Sequence, residues 1–315
     1  MDAALQSLDP VDLADVLARW EAGTLGATPA GPEEIGELRH DLEAAAMHAV
    51  DAAGDADLGS NPIRLSKRRI TQLAACERHL VATAADEGPS GDPTALHLGV
   101  LVDVLAEHHV LTGRPRPEPE PLALGVDLCR AHGDKEATLD WLEALDPAAR
   151  AAVDELLTEK RDALLRGWPA FERHWWPRTQ ERAVVALAGG QVRLEGRADA
   201  VVGGAPTPWP ALVIEVKSGA FSQEQRDDGL FYGLLLALRD GRGPAAAVTT
   251  APATLHVDVG SADRLRTACL RLTAAIVAAG ELAGGRTPRE LAGGRCERCP
   301  DRRRCPTGLT WEPRR

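Results

Sequence analysis

Apolar residues recur at helical spacing over the first 60 positions and predict two or three amphipathic helices. Asp9 or Asp12 is placed to cap the first, Gly23–Gly31 with Pro29 is a loop, and a second helix covers 35–52. The character changes at Asn61–Pro62. Ser66 is a good cap for a helix from Lys67 to about Thr83, with Ile70, Leu73 and Leu80 on one face and Cys76 close to it. Thr94 is placed to cap the next helix, about Ala95–Leu111. The Pro-rich stretch Gly113–Pro121 is a loop, and residues 122–176 continue as helix into the aromatic cluster Trp168, Phe171, Trp175 and Trp176.

The period then switches to two. Arg182–Leu187, Gln191–Leu194, Arg197–Val202 and Ala211–Lys217 read as four short strands, with turns at Gly189–Gly190 and Gly203–Gly204. A helix follows over about Ser222–Arg239, then strands at Ala245–Thr249 and Thr254–Val259, then a helix near Ala262–Leu282 and a cysteine-rich tail. The order of elements predicts an α/β fold, a small mixed sheet flanked by helices.

Composition narrows the function classes. Hydrophobic residues make up 44% of the 315, enough for a core, which excludes disorder as the main state. The net charge of −11 excludes a globally basic nucleic-acid coat but not local basic patches. Two such patches exist: Lys67-Arg68-Arg69, and residues 286–315 with nine arginines against four acids. The longest apolar runs, such as Leu234–Ala237, are too short for a bilayer and the N-terminus is acidic, so neither a membrane protein nor a secreted precursor is expected, and the expected location is cytoplasmic. No lysine follows a glycine, so there is no P-loop, and any helicase partner is a separate chain. Lysine occurs only at 67, 135, 160 and 217, the other 32 of the 36 basic residues being arginine, so each position that keeps lysine stands out. Three of the six cysteines fall within ten residues, which points to metal before disulfides.

The strand Val213-Ile-Glu215-Val-Lys217 carries the chemistry. Residues two apart on a strand share a side of the sheet, so Glu215 and Lys217 face the same way, and Asp199 lies on the neighbouring strand. Two carboxylates are hard oxygen ligands for Mg²⁺ or Mn²⁺, and the lysine can orient a water or neutralise developing charge, which suits phosphodiester hydrolysis. The same residues also fit a structural ion pair within a strand.

Gly196-Arg-Ala-Asp199 followed by Ile214-Glu215-Val-Lys217 resembles the PD-(D/E)XK nuclease superfamily, and most nearly its RecB-like branch, which includes CRISPR-associated and AddB-type iron–sulfur nucleases. The resemblance implies a restriction-endonuclease-like core in which Asp199, Glu215 and the main-chain carbonyl of Val216 bind Mg²⁺ or Mn²⁺ and Lys217 assists the water. The tail Cys296-x2-Cys299-x5-Cys305, with Cys76 in Leu65-Ser66-Lys-Arg-Arg-Ile70…Cys76-Glu77, is similar to the cysteines that hold a [4Fe–4S] cluster in that branch. Cys₄ zinc is the alternative; Cys129 and Cys269 are expected to be buried structural thiols. The resemblance implies residues 1–60 as an N-terminal helical region and 61–315 as the nuclease domain, with a helical insertion at about 113–178 and a Cys-cluster tail closing it.

This chain departs from the pattern in two places. Asp103, in Leu98-Gly99-Val-Leu-Val-Asp103, stands where the family carries a metal-binding His, with His97, His108 and His109 nearby as competitors. In the helix after the lysine strand, Tyr232 fits a DNA-contacting Q-x-x-x-Y motif, but Asp228 stands in place of Gln, and Gln225 is its substitute on the same stripe. The expected function is a metal-dependent DNA nuclease acting on single strands or ends, as an exonuclease, in DNA repair, recombination or defence, with a helicase or defence protein as a further partner. The rival is a decayed nuclease scaffold that binds DNA or a partner without cleaving.

Overall fold

A computed structural model describes residues 12–26, 28–84, 93–113, 120–219, 223–251 and 254–312, with the side chains of 84 and 223–226 outside that description. The N-terminal helices are α1 (Leu13–Glu21), capped by Asp12, and α2 (Pro32–Ala53). After β1 (Ile63–Leu65) come α3 (Lys67–Ala75), α4 (Glu77–Ala84), α5 (Pro93–Thr112), α6 (Pro121–His132), α7 (Glu136–Glu143) and α8 (Pro147–Leu165). The strands β2 (Arg178–Leu187), β3 (Val192–Val202) and β4 (Leu212–Val216) precede α9 (Gln223–Asp240). Then follow β5 (Ala246–Ala251), β6 (Thr254–Val259), α10 (Ala262–Ala283) and, within the tail, α11 (Pro306–Thr310).

The fold is the mixed α/β architecture that the order of periodicities predicts. Six strands form one sheet, in the order β1-β3-β4-β5-β6 with β2 on the other edge of β3. Helices cover both faces. On one side α2, α3, α9 and α10 pack over Val185, Leu194, Val213 and Ala247; on the other α1, α5, α6, α8 and the Trp168–Phe171–Trp175 cluster pack over Val202, Leu212, Ile214 and Val248.

Three local differences from the sequence reading have physical causes. The four short strands of 182–217 are two long strands and one short one, because β3 runs unbroken through Glu195 and Gly196, which pair with Val184 and Ala183 of β2. The predicted Lys67–Thr83 helix is broken at Cys76, whose backbone is extended (φ −175°, ψ 113°). The break lets Glu77 turn inward, where it is fully buried and held by the tail: Arg289 donates to it from its backbone N–H (2.8 Å) and guanidinium, and Arg286 pairs with it at 2.9 Å. Finally, α5 is long and apolar enough to cross a membrane by length and composition, although no apolar run stood out as a span. Its apolarity is spent inside the protein, with Leu98, Leu101, Val102, Leu105 and Val110 buried against α6, α8 and the sheet. Of the predicted Gly113–Pro121 loop, residues 114–119 lie outside the described residues.

α2 packs backbone to backbone against α10. A Cβ added at Gly280 meets the carbonyl oxygen of Ala49 at 2.4 Å, and one at Gly284 meets that of Ala52 at 2.1 Å. Backbone meets backbone there, with no flexible side chain to yield. Gly280→Val is expected to force the helices apart and lower the urea midpoint by the equivalent of about 1–3 kcal/mol or more; an unchanged midpoint refutes the close contact.

Candidate active site

The topology of β3 builds the site. Residues Val192–Leu194 of β3 pair in parallel with β1, while Ala200–Val202, on the same edge, pair antiparallel with β4. The two strands therefore run toward each other along that edge, and their C-terminal ends converge on the intervening residues 195–199. Asp199 is on β3, Glu215 and Lys217 stand at the end of β4, and Lys67 opens α3 just past β1.

The hairpin bends at this point. Ala198 packs into one layer and Ala200 into the other, so the side-chain alternation breaks at Asp199. Across the ladder, Gln180 sits between Thr179 and Glu181, the partners of Ala200 and Ala198, and its φ is +51°, the left-handed region that non-glycine residues rarely adopt. Gly196 lets α9 close over the site, since a Cβ there would lie 2.8 Å from both Tyr232 and Leu235.

Four carboxyls and two ammonium groups meet. Lys67 and Lys217 both donate to Oε1 of Glu215, which is fully buried, and they lie 3.6 and 3.7 Å from Asp228. Asp199 accepts a 2.7 Å bond from the backbone N–H of Val216. Lys67 also lies over the Tyr232 ring, 5.1 Å from its centroid. Oε2 of Glu215 is buried and has no hydrogen-bond partner among the described residues.

The electrostatics record the crowding. Burial pushes the Asp199 carboxyl well above the usual range, with Glu215 and Asp103 adding to it. Burial likewise pushes Asp103 up to about 6, Lys217 opposing and Glu215 reinforcing the shift. Asp228 is raised by burial against the pull of Lys67 and Lys217, and burial raises Tyr232. Burial disfavours the charge on Lys67, but Glu215, Tyr232 and Asp228 outweigh it and hold its pKa above the ordinary value.

The sequence candidates are thus largely brought together: Asp103, Asp199, Glu215, Lys217, Asp228 and Tyr232 share one electrostatic neighbourhood. Two competing histidines are engaged elsewhere. His97 Nδ1 meets Thr138 Oγ1 at 3.0 Å and its ring stacks on Trp141, while His109 Nε2 meets the Pro169 carbonyl at 3.0 Å. Gln225 falls in the first turn of α9, where side chains lie outside the described residues. Asp228 does not face outward as an isolated acid but is matched by two lysines.

The sequence reading missed Lys67, and the rarity of lysine was the signal. All four lysines gather around this site: Lys67 and Lys217 on Glu215, Lys160 donating to the Ser218 carbonyl at 2.8 Å, and Lys135 within electrostatic reach of Asp103.

Cys76, Cys296, Cys299 and Cys305 line one small cavity between α3, α4 and the tail. Their sulfurs are engaged locally. Cys76 points at the Arg289 carbonyl (3.8 Å), Cys296 at that of Leu291 (3.9 Å), and Cys305 accepts from Gly308 N–H (3.3 Å). Arg78 reinforces the closure by pairing with Glu290 (3.0 Å) and Asp301 (2.8 Å). Cys129 and Cys269 are buried away from this cavity, Cys269 donating to the Leu38 carbonyl at 3.7 Å.

Among the described residues no group of three or more His, Cys, Asp or Glu is already arranged to hold a metal ion. The donor sets nevertheless fit in kind. With all four carboxyls ionised, as a bound cation would favour, their charge exceeds that of the two ammoniums by two, the complement of one divalent cation, and Glu215 Oε2 is a buried oxygen with no partner among the described residues. Four thiols around one cavity are the right donors for a cluster or for zinc.

A family model for the PD-(D/E)XK nuclease superfamily matches residues 64–306. The chain belongs to this superfamily, whose members are typically nucleases that use Mg²⁺ or Mn²⁺ on DNA. No curated protein matches the chain. Among solved structures, the one described as the crystal structure of SSO0001 aligns at 13% identity over 77% of this chain and 96% of that chain, with a TM-score of 0.29, too low to bear on the fold.

Proposed function

We propose that this protein is a metal-dependent nuclease that hydrolyses phosphodiester bonds in DNA, acting on single strands or ends. One observation carries the reading: the buried Glu215 carboxylate takes both Lys67 and Lys217 on one oxygen and leaves the other without a partner among the described residues, with Asp199 and Asp103 within electrostatic reach of it. A structural ion pair needs one carboxylate for one lysine and has no use for such an excess of acid.

Asp199, Glu215 and Asp103 would hold the cation, with the Val216 carbonyl as a further ligand. When bound, Mg²⁺ or Mn²⁺ polarises the phosphate and lowers the pKa of a water. The chain's own groups supply the rest. Asp199 is fixed by the Val216 N–H, and Lys217, its ammonium bound to Glu215, would orient the attacking water. Lys67 adds a second positive charge for the phosphate, and Asp228 and Tyr232 keep it aimed at the site. Lys67 and Lys217 thereby offset the charge of Asp228, the acid that stands where the family has glutamine. We assign Cys76, Cys296, Cys299 and Cys305 to a structural [4Fe–4S] cluster, with zinc as the alternative occupant, on the strength of their common cavity and the motif resemblance. Repair, recombination or defence against foreign DNA is the setting this activity suits.

The test is cleavage of labelled single- and double-stranded DNA with Mn²⁺ or Mg²⁺, stopped by EDTA. Absence of cleavage from wild-type protein with a filled cysteine site favours the decayed scaffold.

Asp103 gives a pH-dependent check. Its carboxyl, pushed up to about 6, is protonated below that value, and a cation must displace the proton. Mn²⁺ affinity is therefore expected to rise with pH through about 6. Calorimetry in buffers of different ionisation enthalpy should show more proton release near that pH than at 8. Asp103→Ala is expected to weaken Mn²⁺ binding, and Asp103→His to retain Mn²⁺-supported activity. Wild-type behaviour of both variants removes Asp103 from the site.

A further inference from the structure

A groove of about 940 Å³ opens beside the site, between the outward side of α3, His79 on α4 and the tail segment 291–298. Its inner end is Lys67 and Asp228, at the carboxyl cluster. Its walls carry Arg68 from α3 and Arg295 and Arg298 from the tail, with Glu297 as the other acid. Two basic patches more than 200 residues apart in the sequence thus face each other across one channel. Arg68 and Arg298 are exposed. Nδ1 of His79, on the same wall, is buried without a hydrogen-bond partner among the described residues, and burial followed by Arg295 and Arg298 lowers its pKa, so it presents a neutral ring.

We propose that this groove is the path of a single strand of DNA, its phosphates held by Arg68, Arg295 and Arg298 and its next phosphate delivered to Lys67 and the carboxyls. The inference rests on the nuclease reading for what happens at the inner end, but not for binding. Charge of this kind tracks a phosphodiester backbone, and His79 offers a flat partner for a base. A base reaches the ring of His79 only when it is unpaired, which favours a single strand over a duplex as the occupant. The tail then has two duties. Its cysteines face the closing cavity, and Arg295 and Arg298, on either side of Cys296, form one bank of the channel.

The experiment is fluorescence anisotropy of a labelled oligothymidylate of about 20 nucleotides, in EDTA so that nothing is cleaved, across a salt series. Each phosphate contact on a single strand contributes about 0.7 to the slope of log K against log salt. Arg68→Ala/Arg298→Ala is expected to lower that slope by about 1.4 and to weaken binding about 25-fold at 0.1 M salt. Arg68→Lys/Arg298→Lys, which keeps the charge, should restore most of the affinity. Wild-type affinity and slope in a folded alanine double variant overturn the groove, as does equal loss of binding to a blunt duplex. A parallel cleavage assay with Mn²⁺ on wild-type protein and the alanine double variant separates the two readings: arginine-dependent binding without wild-type cleavage sinks the nuclease reading alone, and cleavage unaffected by the arginines sinks the groove alone.

Discussion

Replacing Asp199 with asparagine is expected to abolish Mg²⁺- or Mn²⁺-supported cleavage, by a factor of about a thousand or more, while leaving the metal-free protein at least as stable as wild type at pH 7. The two outcomes come from one cause. Burial and the neighbouring Glu215 and Asp103 raise the Asp199 carboxyl well above the usual range. A raised carboxyl binds its proton more tightly folded than unfolded, so its contribution to stability falls as pH climbs past the ordinary carboxylate value. Asparagine cannot ionise, so it avoids that loss, and its side-chain oxygen can still accept the Val216 N–H. Cleavage, which needs the charge to hold the cation, disappears. Glu215→Gln should also lose cleavage, and Lys217→Ala should lose roughly 10²–10⁴-fold with metal binding kept. Chemical denaturation and a nuclease assay on the same preparations decide the matter. A structural ion-pair network loses stability and leaves no activity to measure. Wild-type turnover in Glu215→Gln removes the site assignment altogether.

The second large effect belongs to the tail. Protein prepared without air is expected to be brown, with iron and acid-labile sulfide, and Cys76→Ala, Cys296→Ala, Cys299→Ala or Cys305→Ala should each lose the colour and become insoluble or protease-sensitive. Joining Cys76 to Cys296 closes a loop of most of the chain, a loss of chain entropy that metal–thiolate bonding must offset. The thiols do not carry this alone. The carboxylate of Glu77, fully buried, takes both Arg286 and Arg289, and removal of either arginine strands part of its charge. Tail release in a cysteine variant should therefore sharpen as salt is raised, because the remaining surface pairs of Arg78 are screened. Cys129→Ala and Cys269→Ala should keep the colour. Colourless protein with one equivalent of zinc would change the occupant and leave the nuclease argument standing; full solubility without any metal in every variant removes the cysteine assignment.

Much of this fold is written locally. Alternation over 182–202 announces the central hairpin, and the spacing of Glu215 and Lys217 puts both on one side of β4 before any neighbour is known. What is invisible is set by distant parts of the chain. β1 is three residues long and has no period to read; it exists because β3 offers an unpaired edge at Val192–Leu194. Nothing in Ala75-Cys76-Glu77 breaks a helix on its own. The break is imposed by the tail, which draws Glu77 onto Arg286 and Arg289 and Cys76 toward the other cysteines. Lys67 escaped notice because its role depends on β1 and β4 meeting end to end, although its rarity in an arginine-rich chain marked it.

The contact of α2 with α10 sets a timetable for synthesis. Ala49 and Gly280 meet at backbone distance but are 231 residues apart. At a translation rate of about 5–20 residues per second, α2 leaves the ribosome roughly 12–46 seconds before its partner. During that interval the side of α2 bearing Ile35, Leu38, Leu42 and Ala49 has no α10 to cover it, and the sheet beneath is still incomplete. That apolar side of the helix stays uncovered, and the protein reaches its final core only when the last long helix has emerged.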